Sequence, residues 1–402
     1  MLDNALFEYQ AQLLRQIPTE VHRYLYDDIA WDARMVGITG PRGVGKSTML
    51  LQYIRQHKEK QRMLYVSADT SWFATHSLQE LAAESVKEGI TYLFIDEIHK
   101  YRQWSSALKE IYDMQPELHI IFTGSSVLDI RRGEADLSRR ALMYHLQGLS
   151  LREYMAMVHH IDLPTLTIEQ ILANQLPLDI LPHPLPYFRQ YLATGYYPFS
   201  QEQLFPMRLE QVVTQTMEVD IPQYADMKAS TARRLRQLLG VIASLAPFKP
   251  NIDSLSQEVG VSKNNLPDYL VYMANAGLIG LLRDDTAGLR GLGKIEKVYL
   301  DNPNLMHILS GGHPDLGNLR ETFFYNQMRT MLPVRTSRES DFSIRIPDIA
   351  NVAQSVRYTF EVGGKKKGKK QIEDIENGIV VRDDIEIGHG NIVPLWAFGL
   401  LY

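Results

Sequence analysis

The run Gly40 to Ser47, Gly-Pro-Arg-Gly-Val-Gly-Lys-Ser, has the residue types and spacing of a loop that binds nucleotide phosphates. Its glycines let backbone N–H groups turn toward phosphate oxygens, and a helix that starts where the run ends adds the positive end of its dipole. Lys46 would contact the β- and γ-phosphates, and Ser47 would be a ligand of Mg²⁺. The pattern predicts a P-loop that binds ATP with Mg²⁺. The predicted phosphate-binding residues are Gly40, Pro41, Arg42, Gly43, Val44, Gly45, Lys46, Ser47 and Thr48.

A pair of acidic residues follows the apolar segment Tyr92 to Ile95. This order is typical of a Walker B segment, in which the first acid serves the metal ion and the second serves the attacking water. Asp96 would hold Mg²⁺ through water or through Ser47, and Glu97 would orient and polarise the water. The alternative is that both acids are solvated turn residues.

Polar residues end the next apolar segment, His119 to Thr123. In P-loop ATPases a polar side chain at such a strand end senses the γ-phosphate or positions the water, which predicts this role for Ser125 or Thr123. A simple serine turn is the alternative. Further along, Arg140 would neutralise charge on the γ-phosphoryl group, in its own subunit or across an interface, unless it only forms a structural salt bridge. The predicted catalytic residues are Glu97, Lys46, Ser125 and Arg140.

Alternating strand and helix patterns between residues 35 and 150 must position these side chains. The predicted strands are Met35–Ile38, Met63–Ser67, Tyr92–Ile95 and His119–Thr123, with helical stretches between them. Such alternation predicts an α/β fold, with a parallel sheet covered by helices on both faces and ligands at the carboxyl ends of its strands. The separation of the two motifs also suits an additional strand inserted between their strands.

Composition limits the classes to which the protein can belong. At 402 residues, the chain is expected to form about two to four domains. It contains no cysteine, which excludes disulfides, iron–sulfur clusters and thiolate zinc sites. A net charge of −5 means that any contact with nucleic acid must come from local basic patches. The absence of an apolar run long enough to span a bilayer, and of a basic leader, predicts a soluble cytoplasmic protein without membrane contact.

Patterns along the chain predict four domains. Residues 1–150 are the expected ATPase domain, with helices in the lead-in at Gln10–Gln16 and Val21–Ile29. Residues 151–225 are predicted to be a helical linker or lid, although the proline-rich segment Leu181–Pro186 cannot lie inside a helix. A winged-helix domain at 226–300 and a small α/β nuclease-like domain at 301–402 complete the prediction.

The winged-helix prediction depends on a long helix through Leu235–Leu245, a turn with Gly260 at the bend, and Ser262 as the cap of the next helix. That next helix, from Lys263 to Asn275, would meet DNA or RNA, although its expected face is only weakly basic. Winged helices also serve as protein-interaction modules and as lids of ATPase rings. The sequence leaves these uses open.

The tail carries acids in the order of a PD-(D/E)xK nuclease core, whose carboxylates bind a divalent metal. They are Glu321 on a predicted helix, Asp341 at the start of a strand, and Glu361 on the next strand. Gly363 stands where the lysine of that motif belongs, so we expect a retained fold without proven cleavage, unless Lys365 or Lys366 replaces the missing lysine. Further strands are predicted at Phe342–Ile346, Tyr358–Val362, Ile379–Val381 and Val393–Phe398. The basic tract Lys365 to Lys370 is either a phosphate contact or an ordinary solvated run.

Together these motifs resemble bacterial and archaeal ATPases of the AAA+ superfamily that carry a C-terminal domain of unknown function. The resemblance covers nearly the whole chain and includes the stretches Phe122–Ser126, Arg140–Tyr154 and Gly195–Pro198. Arg140 aligns with an arginine that precedes the Pro-Leu-Ser-Phe segment of the family, although Gly148 replaces the proline. The resemblance implies binding and hydrolysis of ATP with Mg²⁺.

The predicted function is therefore ATP hydrolysis that drives or times a rearrangement of the C-terminal half, which would act on nucleic acid or on a protein partner. Self-association into a homo-oligomer is also expected of such a protein. The alternatives are a slow nucleotide-dependent signalling switch and a metal-dependent nuclease gated by ATP.

Overall fold

The computed structural model describes residues 2–59, 61–124, 137, 139–225, 227–284, 294–347, 355–368 and 372–402. The chain divides into two compact units, Met1–Gly148 and Leu149–Tyr402. The predicted boundary near residue 150 falls close to this division, whereas the finer boundaries at 225 and 300 stay predictions.

A five-stranded parallel sheet forms the centre of the first unit. Its strands are β1 (Met35–Thr39), β2 (Met63–Ser67), β3 (Tyr92–Asp96), β4 (His119–Gly124) and β5 (Leu142–His145), in the order β2-β3-β4-β1-β5. Residues of β1, β2 and β3 are buried throughout, which explains their continuous apolar runs. Because β4 lies between β1 and β3, the predicted inserted strand is confirmed.

Helices cover both faces of this sheet. They are α1 (Asn4–Gln16), α2 (Lys46–His57), α3 (Leu78–Lys87) and α4 (Trp104–Met114). Successive residues of β3 point to opposite faces, so Leu93 packs in a core with α3 and α4, while Phe94 packs in a second core with α2. The predicted doubly covered α/β fold is confirmed.

The second predicted lead-in helix, Val21–Ile29, is wrong. This segment forms hydrogen-bonded turns, such as the Tyr26 N–H donating to the Arg23 carbonyl at 2.9 Å. Its helix-like spacing arises because Leu25, Tyr26 and Ile29 are buried in the α2-side core. The first lead-in prediction is confirmed by α1.

The second unit begins with the helices α5 (Leu151–His159), α6 (Ile168–Leu172), α7 (Pro184–Gln190), α8 (Phe205–Gln215) and α9 (Ile221–Tyr224). The stretch Arg140–Tyr154 of the family resemblance includes the start of α5, where Ser150 and Glu153 form a reciprocal capping box. Pro184 and Pro186 occupy the first turn of α7, where a missing backbone N–H costs nothing. Helices thus occupy much of residues 151–225, as expected, whereas the role of this region as a linker or lid stays a prediction.

Three helices and a hairpin follow, in the order that a winged helix requires. They are α10 (Ala229–Leu245), α11 (Ile252–Val259), α12 (Leu266–Asn275), and the antiparallel strands β6 (Ile279–Arg283) and β7 (Ile295–Leu300). Gly260 ends α11 with a φ of 68°, as expected for the bend. The predicted cap at Ser262 is wrong, because α12 starts at Leu266 and Asn265 precedes it. The winged helix itself stays a prediction.

The remainder of the second unit contains a mixed five-stranded sheet. Its elements are α13 (Pro303–Leu309), α14 (Leu316–Met331), β8 (Arg335–Thr336), β9 (Phe342–Pro347), β10 (Ser355–Gly363), β11 (Gly378–Arg382) and β12 (Ile392–Pro394). The sheet order is β12-β11-β10-β9-β8. The strand predicted at Val393–Phe398 is partly wrong, because residues Leu395–Leu400 form a 3₁₀ helix. Within the described residues, no helix is both long and apolar enough to cross a membrane.

Candidate nucleotide-binding site

The P-loop lies between the carboxyl end of β1 and the start of α2. Gly43 and Gly45 have φ values of 83° and 97°, which side chains adopt only with strain. A Cβ atom on Gly40 would lie 2.1 Å from the carbonyl oxygen of Leu146, so no other residue fits there. Ser47 and Thr48 belong to the first turn of α2, whose backbone N–H groups have no helical acceptors. The loop therefore has the shape of an anion cradle.

Lys46 closes this cradle. Its side chain is buried, and its Nζ atom donates hydrogen bonds of 2.9 Å to the carbonyl oxygens of both Gly40 and Pro41. These bonds hold a positive charge across the loop, next to the backbone N–H groups of α2. A lysine in this position is the residue that contacts phosphate oxygens in P-loop ATPases.

Arg23 supports the loop, although no sequence pattern singled it out. This buried arginine donates to the Val44 carbonyl, and its Nη2 atom donates to the carbonyls of Gln147 at 2.7 Å and Gly148 at 2.9 Å. These acceptors are backbone carbonyls, which every residue type carries, so no sequence pattern marks them. Arg23 thus ties the P-loop to the last residues of the first unit.

Asp96 is fixed by the strands on either side of β3. Tyr65 on β2 donates its hydroxyl to Asp96 Oδ2 at 2.7 Å, and Thr123 on β4 donates to Oδ1. Burial, followed by the charge of Asp96 and this hydrogen bond, raises the pKa of the Tyr65 hydroxyl well above its usual range. Tyr65 therefore remains a donor that orients the carboxylate. No sequence pattern pointed to Tyr65, since a tyrosine within an apolar strand usually belongs to the core.

Thr123 also contacts the second acid. Its hydroxyl oxygen accepts a hydrogen bond of 3.3 Å from the backbone N–H of Glu97. The side chain is fully buried at the carboxyl end of β4, level with Ile38 on β1. Of the two predicted sensors, Thr123 is thus brought to the acids, whereas Ser125 lies outside the described residues.

Glu97 has left-handed backbone geometry, with φ 51° and ψ 39°. Its Oε2 atom lies 3.4 Å from Nε2 of His99, whose side chain is buried. Burial, followed by the positive charges of Lys100, Lys46 and Arg42, lowers the pKa of His99 to about 3. The positive charge of Lys46 on the P-loop thus acts on His99, which lies next to Glu97.

Arg140 lies elsewhere. Its guanidinium forms a paired contact with Asp113, from Nε to Oδ1 at 3.1 Å and from Nη2 to Oδ2 at 3.0 Å. Arg140 precedes β5 and Asp113 lies near the carboxyl end of α4, so both are at the amino ends of the strands. The P-loop follows the carboxyl end of β1. The structure therefore does not bring Arg140 to the P-loop of its own chain, and its role across an interface stays a prediction.

In the second unit, the predicted acids Glu321, Asp341 and Glu361 form an acidic cluster with two lysines. Burial and the negative charges of Glu321 and Glu361 raise the pKa of Asp341 to about 6, although a 2.9 Å bond from the Val362 N–H opposes the shift. Lys297 donates to Glu321 at 2.5 Å. The residues that the sequence placed in order are thus together in space.

Lys367 is the lysine that reaches this cluster, in place of the predicted Lys365 or Lys366, whose side chains are exposed. Its Nζ atom lies 2.5 Å from Glu361 Oε1. A Cβ atom on Gly363 would come within 2.6 Å of the Lys367 side chain, so glycine is needed for the lysine to fold back. Burial lowers the pKa of Lys367, but the hydrogen bond and charge of Glu361 outweigh this and raise it.

Some of the lysines that were predicted to contact nucleic acid bind acidic side chains of the protein itself. Lys263 forms a 2.7 Å ion pair with Asp253, and Lys367 faces the acidic cluster. Lys369 and Lys370 lie outside the described residues. Across the part of the chain that the structure describes, no group of at least three acidic, histidine or cysteine side chains is arranged to hold a metal ion.

Residues 32–155 match the family model of the AAA domain. This match supports nucleotide binding and hydrolysis, in general terms, for the part of the chain that it covers. Residues 185–316 match a second family model, the domain of unknown function DUF8612, which spans both predicted boundaries of the winged helix. That match supports neither a winged helix nor a nuclease.

The chain is 26% identical to the uncharacterized protein MJ1637 of Methanocaldococcus jannaschii, over 95% of this chain and 87% of the relative. Among solved structures, AMPPCP-bound DnaA from Aquifex aeolicus has 12% identity and a TM-score of 0.25, covering 68% of this chain and 89% of DnaA. The Hsp104–ADP complex of S. cerevisiae has 15% identity and a TM-score of 0.30, covering 66% and 38%. At such TM-scores these two structures carry no argument about this chain.

Proposed function

We propose that the first unit hydrolyses ATP in a Mg²⁺-dependent reaction. The observation that carries this proposal is that the P-loop with Lys46 follows the carboxyl end of β1, while Asp96 and Glu97 lie at the carboxyl end of the parallel strand β3, at the same edge of the sheet. A glycine cradle, a buried ammonium and a fixed carboxylate are the donor set that Mg²⁺–ATP requires. The residues present therefore fit the nucleotide and its metal ion.

In the proposed phosphoryl transfer, each side chain of the site has a separate role. Lys46 and the N–H groups of α2 bind the phosphates, and Ser47 and Asp96 would hold Mg²⁺, which neutralises phosphate charge when bound. Tyr65 and Thr123 keep the Asp96 carboxylate in place. Glu97 polarises the attacking water as a general base.

We further propose that nucleotide state rearranges the second unit, which acts on nucleic acid or on a protein partner. Arg23 supports this proposal, because it bonds both to the P-loop at Val44 and to Gly148, where the first unit ends. A shift of the loop on nucleotide binding would change those bonds. Self-association belongs to the same proposal, since Arg140 could serve only a neighbouring copy.

The proposal is tested by phosphate release from purified protein with ATP and Mg²⁺, with and without DNA or RNA, coupled to mass measurement in ADP and ATP. We expect turnover that needs Mg²⁺ and rises when the correct partner is present. Slow, unstimulated turnover by protein that copurifies with nucleotide would instead favour the signalling switch. Absence of any turnover would contradict the proposed ATPase.

A second candidate function is metal-dependent cleavage of DNA or RNA by the second unit. It is favoured by the convergence of Glu321, Asp341 and Glu361 with Lys367, which supplies the lysine that the sequence motif lacks at position 363. One Glu361 oxygen, Oε2, is buried without a hydrogen-bond partner. Lys297 contacts Glu321 Oε2 and Lys367 contacts Glu361 Oε1, so a metal ion that used either of these oxygens would have to displace an ammonium.

This candidate predicts cleavage of labelled DNA or RNA with Mn²⁺ or Mg²⁺, followed on gels. Asp341→Asn and Glu361→Gln should abolish the products, because each removes a charged ligand while keeping the side-chain shape. The Lys46→Ala variant should keep cleavage or change only its dependence on ATP. Products that persist in Asp341→Asn, or no products in the unmodified protein, would remove the candidate.

A further inference from the structure

The second acid of the nucleotide site has a contact that its catalytic motif does not explain. His99 lies in the helical turn Ile98–Lys100 that follows Glu97, and its side chain is only 3% exposed. Its Nε2 atom is 3.4 Å from Glu97 Oε2. The imidazole therefore faces the carboxylate that would polarise water.

The charge state of His99 determines what this contact can do. Burial of the ring, followed by the positive charges of Lys100, Lys46 and Arg42, lowers the pKa of His99 to about 3, so the imidazole is neutral near pH 7. A neutral imidazole protonated at Nε2 donates a hydrogen bond to Oε2 without neutralising the carboxylate. Glu97 then keeps its negative charge and its ability to accept a proton from water.

Glu97 is tied at its backbone as well. Its N–H donates to Thr123 Oγ1 at 3.3 Å, and its φ of 51° is unusual for a residue with a side chain. A left-handed residue redirects its side chain relative to the strand it follows. With the backbone bonded to Thr123 and the carboxylate facing His99, the direction of the side chain is restricted at both ends.

We propose that His99 is a positioning residue for Glu97, which holds the carboxylate toward the γ-phosphate side of the site through Nε2–H. The proposal rests on the proposed ATPase function, which supplies the role of Glu97. It is distinct from a base role for His99, because the other ring nitrogen, Nδ1, would then have to accept the proton from water, and Nδ1 is buried. It is also distinct from simple core packing, which would need no polar ring at this position.

Two variants of similar size separate these roles. His99→Gln keeps an N–H donor at about the position of Nε2, whereas His99→Leu removes it and keeps the volume. We expect His99→Leu to lower kcat about 10- to 100-fold, the rate equivalent of one hydrogen bond to a charged group. His99→Gln should recover kcat to within a few-fold. Nucleotide affinity and thermal unfolding should change little in either variant.

The pH profile gives an independent readout. If His99 were the base, the acidic limb of the kcat profile would follow the titration of its imidazole, and His99→Gln would remove that limb. Positioning predicts profiles of the same shape in both proteins. A normal kcat in His99→Leu would overturn the proposal. So would a loss of kcat in His99→Gln as large as that in His99→Leu, accompanied in both variants by lower nucleotide affinity and a lower unfolding temperature.

Nitrogen-15 NMR of the imidazole rings tests the contact even without ATP turnover. The His99 signal, found among the 12 histidines by comparison with His99→Gln, should show a neutral ring with Nε2 protonated. It should shift in Glu97→Gln. A charged ring, or a signal insensitive to Glu97, would refute the contact, whereas absence of turnover beside the expected signal would refute only the ATPase function.

Discussion

Glu97→Gln is expected to bind ATP with near-normal affinity while hydrolysis slows by about 10²- to 10⁴-fold, the range of general-base contributions. Glutamine keeps the shape of the side chain and loses the negative charge that polarises water. Asp96 and its donors Tyr65 and Thr123 are untouched, so the site for Mg²⁺ should remain. Single-turnover phosphate release, together with calorimetry of ATP binding, measures both effects.

Glu8→Gln provides a matched control, because it makes the same chemical change at an exposed position on α1. We expect this variant to hydrolyse ATP at the unmodified rate. Near-normal phosphate release by Glu97→Gln would show that Glu97 is not the group that polarises water. A parallel loss of ATP affinity would place Glu97 in binding rather than in chemistry.

Lys46→Ala is expected to abolish measurable nucleotide binding. The buried ammonium would contact both the β- and γ-phosphates, and each hydrogen bond between charged groups contributes about 1.5–3 kcal/mol. Loss of two such bonds corresponds to a weakening of about 100-fold or more. Calorimetry with ATP and ADP measures the change, and it should be smaller for ADP, which lacks the γ-phosphate.

Lys58→Ala serves as the control for this variant, since Lys58 is an exposed lysine just beyond the carboxyl end of α2. Thermal unfolding without nucleotide verifies that both variants fold. Unchanged ATP affinity in folded Lys46→Ala protein would contradict the P-loop assignment. A loss of equal size in both lysine variants would point to general charge effects.

Local motifs were predictable because their chemistry resides in contiguous backbone. The glycines of residues 40–45 and the helix start at Lys46 create the phosphate cradle within one segment, so a linear pattern is sufficient. The parallel sheet was predictable for a similar reason, since strands buried on both faces must read as continuous apolar runs. The helix predicted at Val21–Ile29 was wrong because the buried residues of a turn can have the same spacing as the buried residues of a helix.

Long-range partners were not predictable. Tyr65 was not predicted, and Thr123 was predicted as a phosphate sensor but not as a donor to Asp96. Both reach Asp96 from neighbouring strands, and strand order depends on how the whole sheet packs. Arg23 bonds to backbone carbonyls, which every residue type carries. Such contacts have no sequence signature, because any chain segment with the right position in space could provide the acceptor.

The sequence by itself determined the P-loop, the acids that follow β3 and the α/β class of the first unit, because those features depend on residue type and local periodicity. Tertiary structure alone decided that Arg140 pairs with Asp113 away from the P-loop, that Lys367 reaches Glu361, and that His99 faces Glu97. These outcomes depend on strand direction, a glycine turn and burial. Each contact forms only in the packed chain. Packing brings together charged side chains that lie far apart in the sequence, and it sets the direction of side chains that lie close together in it.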